Sequence, residues 1–181
     1  MVKNESVKVH SVNNKGFTLV ELIVALVILS ILAAVGVPGL LSYIDDYRQK
    51  EILSHAQAAF AAAQAEVTKC YDTAVGNQKV SSMLYETIEG STRLDKIAVA
   101  ADMPAGSKAG FRMKKYNGDY NAVPADKDAW IVYYLAYWES ETDKTAVAYN
   151  GDTGEWETGL TCEQAMSRLP SGSYFLLESH K

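Results

Sequence analysis

Glu21 is the only charged residue in the first apolar segment of the chain. The segment, Phe17 to Leu41, is 25 residues long, and every other residue in it is uncharged. A charge inside lipid hydrocarbon costs on the order of 2.5–3.5 kcal/mol, so an acid in such a segment usually marks a functional site with a cationic partner. The sequence therefore predicts that Glu21 acts by pairing with a positive group.

A basic leader, residues 1–16, precedes this segment and ends at Gly16. Its three lysines and one glutamate give it a net charge of +2, and basic flanks of a membrane span stay on the cytoplasmic side. An ordinary secretory signal has its small-residue cleavage site after the apolar core, whereas Gly16 lies before it. Cleavage at Gly16 would leave the apolar segment on the product and create an α-amino group at Phe17.

Other residues that carry out chemistry are sparse. The three histidines, His10, His55 and His180, lie far apart, which gives no local support to a zinc site or a histidine-based triad. The turn Asn150–Glu155 invites a calcium interpretation, but it lacks EF-hand spacing, and a hairpin turn accounts for its residues. We expect no enzymatic activity, no cofactor and no metal.

Two cysteines, Cys70 and Cys162, fall in the part of the chain that the span would export. Disulfides persist in oxidising compartments outside the cytoplasm. We therefore expect a disulfide between them, with two buried free thiols as the alternative.

The apolar segment is long enough to cross a membrane. Residues 17–41 would form a helix of about 37 Å at about 1.5 Å per residue, against roughly 30 Å of hydrocarbon. Pro38 lies between Gly36 and Gly39, and because it has no N–H group we expect it to kink or locally open the helix. The alternative is that the helix ends between Gly36 and Gly39.

The helical pattern continues over residues 42–76. Apolar residues recur there at intervals of three or four, which predicts one buried face, and Gly76 and Asn77 are stop signals. The residues of the predicted face are Ile52, Ala56, Ala59, Ala63, Val67 and Cys70.

Residues 77–181 are expected to form an exported globular head. Short helices are predicted over Val80–Ile88 and Leu94–Ala101, the second preceded by a capping box of Thr92 and Asp95. The turn-rich stretch 107–128, with breakers Asn117-Gly118 and Pro124, is expected to be a loop with at most one short strand near Phe111–Tyr116.

The clearest strand runs from Trp130 to Trp138, or near 130–139, because β-branched and aromatic residues fill it. Further strands are expected near 144–150, 154–158 and 174–177, with a short helix at Thr161–Leu169. Both faces of the first strand are apolar, so one should pack on the long helix and the other needs a loop or an adjoining subunit. The predicted fold class is α+β, with a long N-terminal helix, membrane-spanning in its first half, on a small antiparallel sheet.

A small basic cluster interrupts the head, although the chain as a whole has a net charge of −5. Four charges in a loop are typical of a solvated surface, so we expect no nucleic-acid contact. The cluster consists of Lys108, Arg112, Lys114 and Lys115.

The front of the chain resembles the class III leader and N-terminal helix of type IV prepilins and pseudopilins. The resemblance covers about Lys15 to Leu41 and rests on Pro38, on about twenty apolar residues and on the string Lys15-Gly16-Phe17-Thr18-Leu19-Val20-Glu21. It implies cleavage by a prepilin peptidase between Gly16 and Phe17 and methylation of the Phe17 amine. It also implies that Glu21 pairs with the free amine of a neighbouring subunit during filament assembly.

The resemblance further implies a single-pass precursor in the cytoplasmic membrane and a homo-oligomeric helical filament at the cell surface. The peptidase, an assembly platform and an ATPase motor would act in trans. A pseudopilin of a type II secretion or competence DNA-uptake system is the alternative within this class. A monomeric, membrane-anchored binding or catalytic domain outside the cytoplasm, with its leader retained, is the alternative of a different class.

Overall fold

The computed structural model describes residues 16–74, 80–115, 130–170 and 174–179. The leader apart from Gly16, the stop signals Gly76 and Asn77, and the breakers Asn117-Gly118 and Pro124 lie outside these ranges. The chain divides into two units, residues 1–44 and 45–181. Each unit is described by itself.

The longest element is helix α1, which runs from Leu19 to Thr73 over 55 residues. Leucine and alanine dominate it, and both have high intrinsic helix propensity. The helix is continuous through Gly36, Pro38 and Gly39, so the alternative of a helix end at this point is wrong. A proline removes only one hydrogen bond of the helix, and α1 continues past Pro38 to Thr73.

Three further helices and seven strands follow α1 within the described part of the second unit. A five-stranded antiparallel sheet has the order β6-β5-β4-β3-β7, and β1 and β2 form a separate hairpin. The elements are α2 (Val80–Met83), β1 (Thr87–Ile88), β2 (Ser91–Thr92), α3 (Arg93–Ala100), β3 (Lys108–Lys115), β4 (Trp130–Trp138), β5 (Ala146–Asn150), β6 (Glu155–Leu160), α4 (Cys162–Ser167) and β7 (Phe175–Glu178). The predicted α+β class is confirmed.

One face of the sheet packs on α1. Leu135 and Tyr137 of β4 and Val147 of β5 belong to the same buried cluster as the apolar face of the helix. All six residues that helical periodicity predicted for this face are buried: Ile52, Ala56, Ala59, Ala63, Val67 and Cys70. Three of them are alanines, Ala56, Ala59 and Ala63, and all three are fully buried.

Helix α4 covers the opposite face of the sheet. Ala136 and Trp138 alternate with Leu135 and Tyr137 along β4, and they form a second cluster with Ala165 of α4. The sequence left open whether a loop or an adjoining subunit covers this face. In the structure a short helix of the same chain covers it.

Polar side chains of α1 also hold the sheet. Gln64 Oε1 accepts a hydrogen bond of 2.7 Å from the Val132 backbone N–H, and His55 Nδ1 lies 2.8 Å from Oε1 of Glu139. Val132 lies at a shift in the β3–β4 register, where a backbone group loses its ladder partner. Gln64 supplies the acceptor that this group needs.

Two secondary-structure predictions for the head are wrong. Strand β3 has eight residues and lies between β4 and β7, where at most a short strand in a loop was expected. The predicted helix Val80–Ile88 ends at Met83, and Ile88 pairs with Ser91 in the β1–β2 hairpin. The hairpin turn has positive φ at both Glu89 and Gly90, the backbone conformation of a type I′ turn.

Candidate functional site at the start of the long helix

Gly16, Phe17 and Thr18 precede the first helical residue, Leu19. Phe17 is 90% exposed, and Gly16 is exposed as well. The peptide bond between Gly16 and Phe17, where the sequence predicts cleavage, therefore lies outside the helix and is accessible.

Thr18 and Glu21 form a capping box at this helix start. The Thr18 backbone N–H donates to Oε2 of Glu21 at 2.9 Å, and the Thr18 hydroxyl donates to the same oxygen at 2.8 Å. The Glu21 N–H lies 3.3 Å from Thr18 Oγ1 and donates to it. These bonds satisfy N–H groups that have no partner within the helix, and a carboxylate in the first turn is favoured by the helix dipole.

Sequence reasoning singled out Glu21 but missed Thr18. The available signal was the spacing Thr-x-x-Glu ahead of an apolar run, which is typical of a capping box. The two hydrogen bonds from Thr18 both reach Oε2, and a carboxylate has about four acceptor positions. Glu21 can therefore cap its own helix and accept a further donor.

The side chains around this site form an uncovered apolar surface. Every large apolar side chain from Phe17 to Ile44 is at least 50% exposed. Helix α1 includes an 18-residue window with a mean hydropathy of 2.8, none of it buried, and is long and apolar enough to cross a membrane. An exposed apolar surface of this extent requires lipid or protein to cover it.

Helix α1 begins with the capping box of Thr18 and Glu21, and its later part packs on an antiparallel sheet. This is the layout of a pilin-like protein. Residues 12–37 match the sequence profile of the prokaryotic N-terminal methylation motif. This motif is the class III leader of type IV prepilins and pseudopilins, and it supports a membrane-anchored precursor that is structural in role. No curated protein and no solved structure is significantly similar to the chain.

The structure contains no disulfide between Cys70 and Cys162, which are both free thiols. Cys70 lies in the cluster between α1 and the sheet, whereas Cys162 packs against the cluster under α4, on the opposite face. The sheet therefore separates the two sulfur atoms. Burial raises the pKa of both thiols.

Two side chains of the predicted basic cluster are described, and Arg112 is buried whereas Lys108 is partly exposed to solvent. Arg112 is buried and its Nη1 donates to the Pro170 carbonyl at 2.7 Å. Lys108 Nζ lies 3.4 Å from Oε1 of Glu178. The side chains of Lys114 and Lys115 lie outside the described set.

Asp152, in the turn after β5, forms hydrogen bonds within the head. Asp152 accepts a hydrogen bond from the Tyr134 hydroxyl, and its backbone N–H donates to Asn150 Oδ1 at 2.8 Å. The residues that invited a calcium interpretation therefore close the hairpin between β5 and β6.

Proposed function

We propose that this protein is the structural subunit of a type IV pilus-like filament, anchored in the cytoplasmic membrane before assembly. A prepilin peptidase cuts between Gly16 and Phe17 on the cytoplasmic side, and the new amine of Phe17 is methylated. The subunits then stack through α1 into a helical homo-oligomer outside the cell. An assembly platform and an ATPase drive this step, and the subunit itself needs no cofactor.

The observation that carries the proposal is the methylation motif at residues 12–37 on a helix whose apolar surface is uncovered. Neighbouring copies of the same helix would cover that surface once the subunits leave the lipid. Such head-to-tail contacts are heterologous and do not close, so they generate an open filament.

Glu21 supplies the specific step in the proposed assembly. Its Oε2 accepts both bonds from Thr18, and Oε1 is the oxygen that we assign to the Phe17 amine of a neighbouring subunit. The pair would offset the cost of an acid in an apolar filament core, a cost on the order of 2.5–3.5 kcal/mol in lipid. The amine exists only after cleavage, so cleavage and assembly occur in a fixed order.

Pro38 would let the same helix serve in two environments. The carbonyl of Ala34 has no N–H partner at Pro38, so we predict a kink at Pro38 with Gly36 and Gly39 beside it. A bend there would let a membrane-spanning helix repack in a filament.

The processing step is tested by the intact mass of the chain from membranes that contain a prepilin peptidase. We expect a product that begins at Phe17 and carries one methyl group. Gly16→Leu should block the cut, and Gly36→Ala, at an exposed glycine of the apolar segment, should leave it unchanged. A chain that keeps residues 1–16 in such membranes would contradict the proposal and favour the monomeric anchored domain.

The assembly step is tested by counting sheared filaments by electron microscopy. Glu21→Gln keeps an amide oxygen that can cap the helix but removes the charge, so we expect cleavage without filaments. Glu51→Gln, at an exposed acid farther along α1, is the matched control and should assemble. Normal filament numbers from Glu21→Gln would overturn the pairing step. A pseudopilin of a type II secretion or competence DNA-uptake system, which would share this N-terminal motif, is the alternative.

A further inference from the structure

An uncharged stretch of twenty residues, 22–41, lies between Glu21 and Ser42. As a helix it is about 30 Å long at about 1.5 Å per residue, which equals the thickness of lipid hydrocarbon. Ser30 has the one polar side chain of this stretch, and its hydroxyl donates to the Val27 carbonyl at 2.7 Å. No side chain of the stretch therefore needs a hydrogen bond from water or from lipid headgroups.

The start of α1 has the opposite requirement. The first N–H groups of a helix have no partner within the helix, and each unsatisfied backbone group in hydrocarbon costs several kcal/mol. The capping box provides acceptors for the N–H groups of Thr18 and Glu21. The other N–H groups of the first turn, and the charged carboxylate of Glu21, are stable where water or headgroups reach them. The helix start therefore belongs at a polar boundary while the chain is in a membrane.

Tyr43 marks the other end of the uncharged stretch. It lies two residues beyond Leu41, and its side chain is 68% exposed. Tyrosine combines an apolar ring with a polar hydroxyl group and is enriched where membrane hydrocarbon meets water. Charged residues resume directly after it, at Asp45 and Asp46. The Tyr43 ring thus falls at the transition from apolar to charged sequence.

The distance between Glu21 and Tyr43 matches the thickness of a membrane core. The two residues are 22 positions apart, which is about 33 Å of straight helix. At the average tilt of about 20°, this length covers about 31 Å along the membrane normal, against roughly 30 Å of hydrocarbon. Both residues can therefore lie at opposite boundaries of the hydrocarbon at the same time.

We propose that Tyr43 binds the lipid headgroup boundary on the side opposite the leader and thereby holds the Glu21 carboxylate at the cytoplasmic boundary before assembly. This inference rests on the proposed function, because it requires that the subunit is stored in the membrane. At this depth the bond between Gly16 and Phe17 lies at the headgroups, where a peptidase can reach it. Glu21 enters apolar surroundings only when the subunit leaves the lipid, and at that point the amine of a neighbouring copy is its partner.

The depth of single introduced tryptophans in phosphatidylcholine vesicles tests this placement in the full chain. The substitutions are Val20→Trp, Leu32→Trp and Tyr43→Trp, at side chains that are 68%, 63% and 68% exposed. Bromine on a lipid chain quenches tryptophan at close range, so lipids brominated near the headgroup report shallow positions and those brominated near the chain end report deep ones. We expect shallow quenching at positions 20 and 43 and deep quenching at position 32. The natural tryptophans all lie within residues 45–181, and the unchanged chain gives their baseline.

The anchoring role of the ring is tested by adding Tyr43→Ala to the Val20→Trp chain. Loss of the ring should let the helix slide, so the introduced tryptophan should lose part of its preference for shallow quenching. Tyr85→Ala is the matched control, because Tyr85 is 59% exposed in the second unit, and it should leave the preference unchanged. Circular dichroism checks that each variant is folded.

Deep quenching of Tyr43→Trp would overturn the inference, and so would an unchanged preference after Tyr43→Ala. Neither result bears on the proposed function, which is read from the mass of the chain and the number of filaments. A chain that does not float with the vesicles would overturn both.

Discussion

Arg93 of α3 donates a hydrogen bond from Nη1 to Oε1 of Glu66 on α1 at 2.7 Å. The two side chains are only 15% and 10% exposed, so this ion pair joins the two helices below the surface. Burial raises the pKa of Glu66, but hydrogen bonds from Arg93 and Lys69 outweigh it and the net pKa is lowered. Glu66 is therefore charged at neutral pH despite its burial.

Removing one member of this pair should destabilise the head. Glu66→Ala leaves the Arg93 guanidinium without its carboxylate, and we expect a loss of about 1–3 kcal/mol in the free energy of unfolding. The control is Lys69→Ala, because Lys69 also bonds Glu66 but is 68% exposed. Its loss should stay below about 1 kcal/mol. Thermal unfolding of the detergent-solubilised chain measures both, and equal losses would contradict the assignment.

The same pair predicts an acid-sensitive part of the stability. A carboxylate whose folded pKa is lowered stabilises the fold above its ordinary value of 4.5, and this contribution disappears as the pH falls through the folded pKa. We expect the unfolding temperature of the unchanged chain to fall more steeply below about pH 4.5 than that of Glu66→Gln. Parallel curves for the two proteins would show that Glu66 does not contribute.

The capping box should hold the first turn of α1. Thr18→Ala removes the hydroxyl that accepts from the Glu21 N–H, and loss of such a cap costs about 0.5–2 kcal/mol of local helix stability. We expect faster amide exchange at Glu21 in micelles, with little change in Thr18→Ser. Exchange rates in Thr18→Ala equal to those of the unchanged chain would mean that the cap does not form.

Alanines on the buried face of α1 should be intolerant of larger side chains. Ala63 is fully buried under the sheet, so Ala63→Leu should cost about 1–3 kcal/mol through overpacking. Ala61 is exposed on the same helix, and Ala61→Leu should change the stability by no more than about 0.5 kcal/mol. Urea unfolding compares the two, and a tolerated leucine at position 63 would contradict tight packing around Ala63.

Both cysteines should react as free thiols. We expect two alkyl groups per chain after denaturation without a reductant. In the folded chain, half-buried Cys162 should react faster than buried Cys70, and both should react slowly at neutral pH because burial raises the pKa of each thiol. Intact mass spectrometry gives the number of alkyl groups. A chain that takes up none until it is reduced would show that Cys70 and Cys162 form a disulfide.

The parts of the fold that sequence could predict are those with a strong local pattern. The buried face from Ile52 to Cys70 follows helical periodicity, and β4 is filled with β-branched and aromatic residues. The predicted capping box of Thr92 and Asp95 is confirmed at the start of α3. In each case the signal lies within a few neighbouring residues.

The wrong predictions concern residues whose state depends on distant partners. Strand β3 contains Gly110 and several charges, which lower strand propensity, and it becomes a strand because β4 and β7 pair with both of its edges. The position of Cys162 depends on α4, which covers the face of the sheet away from Cys70. Neither relationship has a local signal.

The pairing of β7 with β3 has a consequence for the order in which the chain folds. Four elements, β4, β5, β6 and α4, separate these neighbours in sequence. While a ribosome is still synthesising those elements, one edge of β3 has bare N–H and C=O groups, which invite pairing with other chains. This edge of β3 therefore stays open to other chains until Phe175–Glu178 has been synthesised, and a chaperone that shields it would act during this interval.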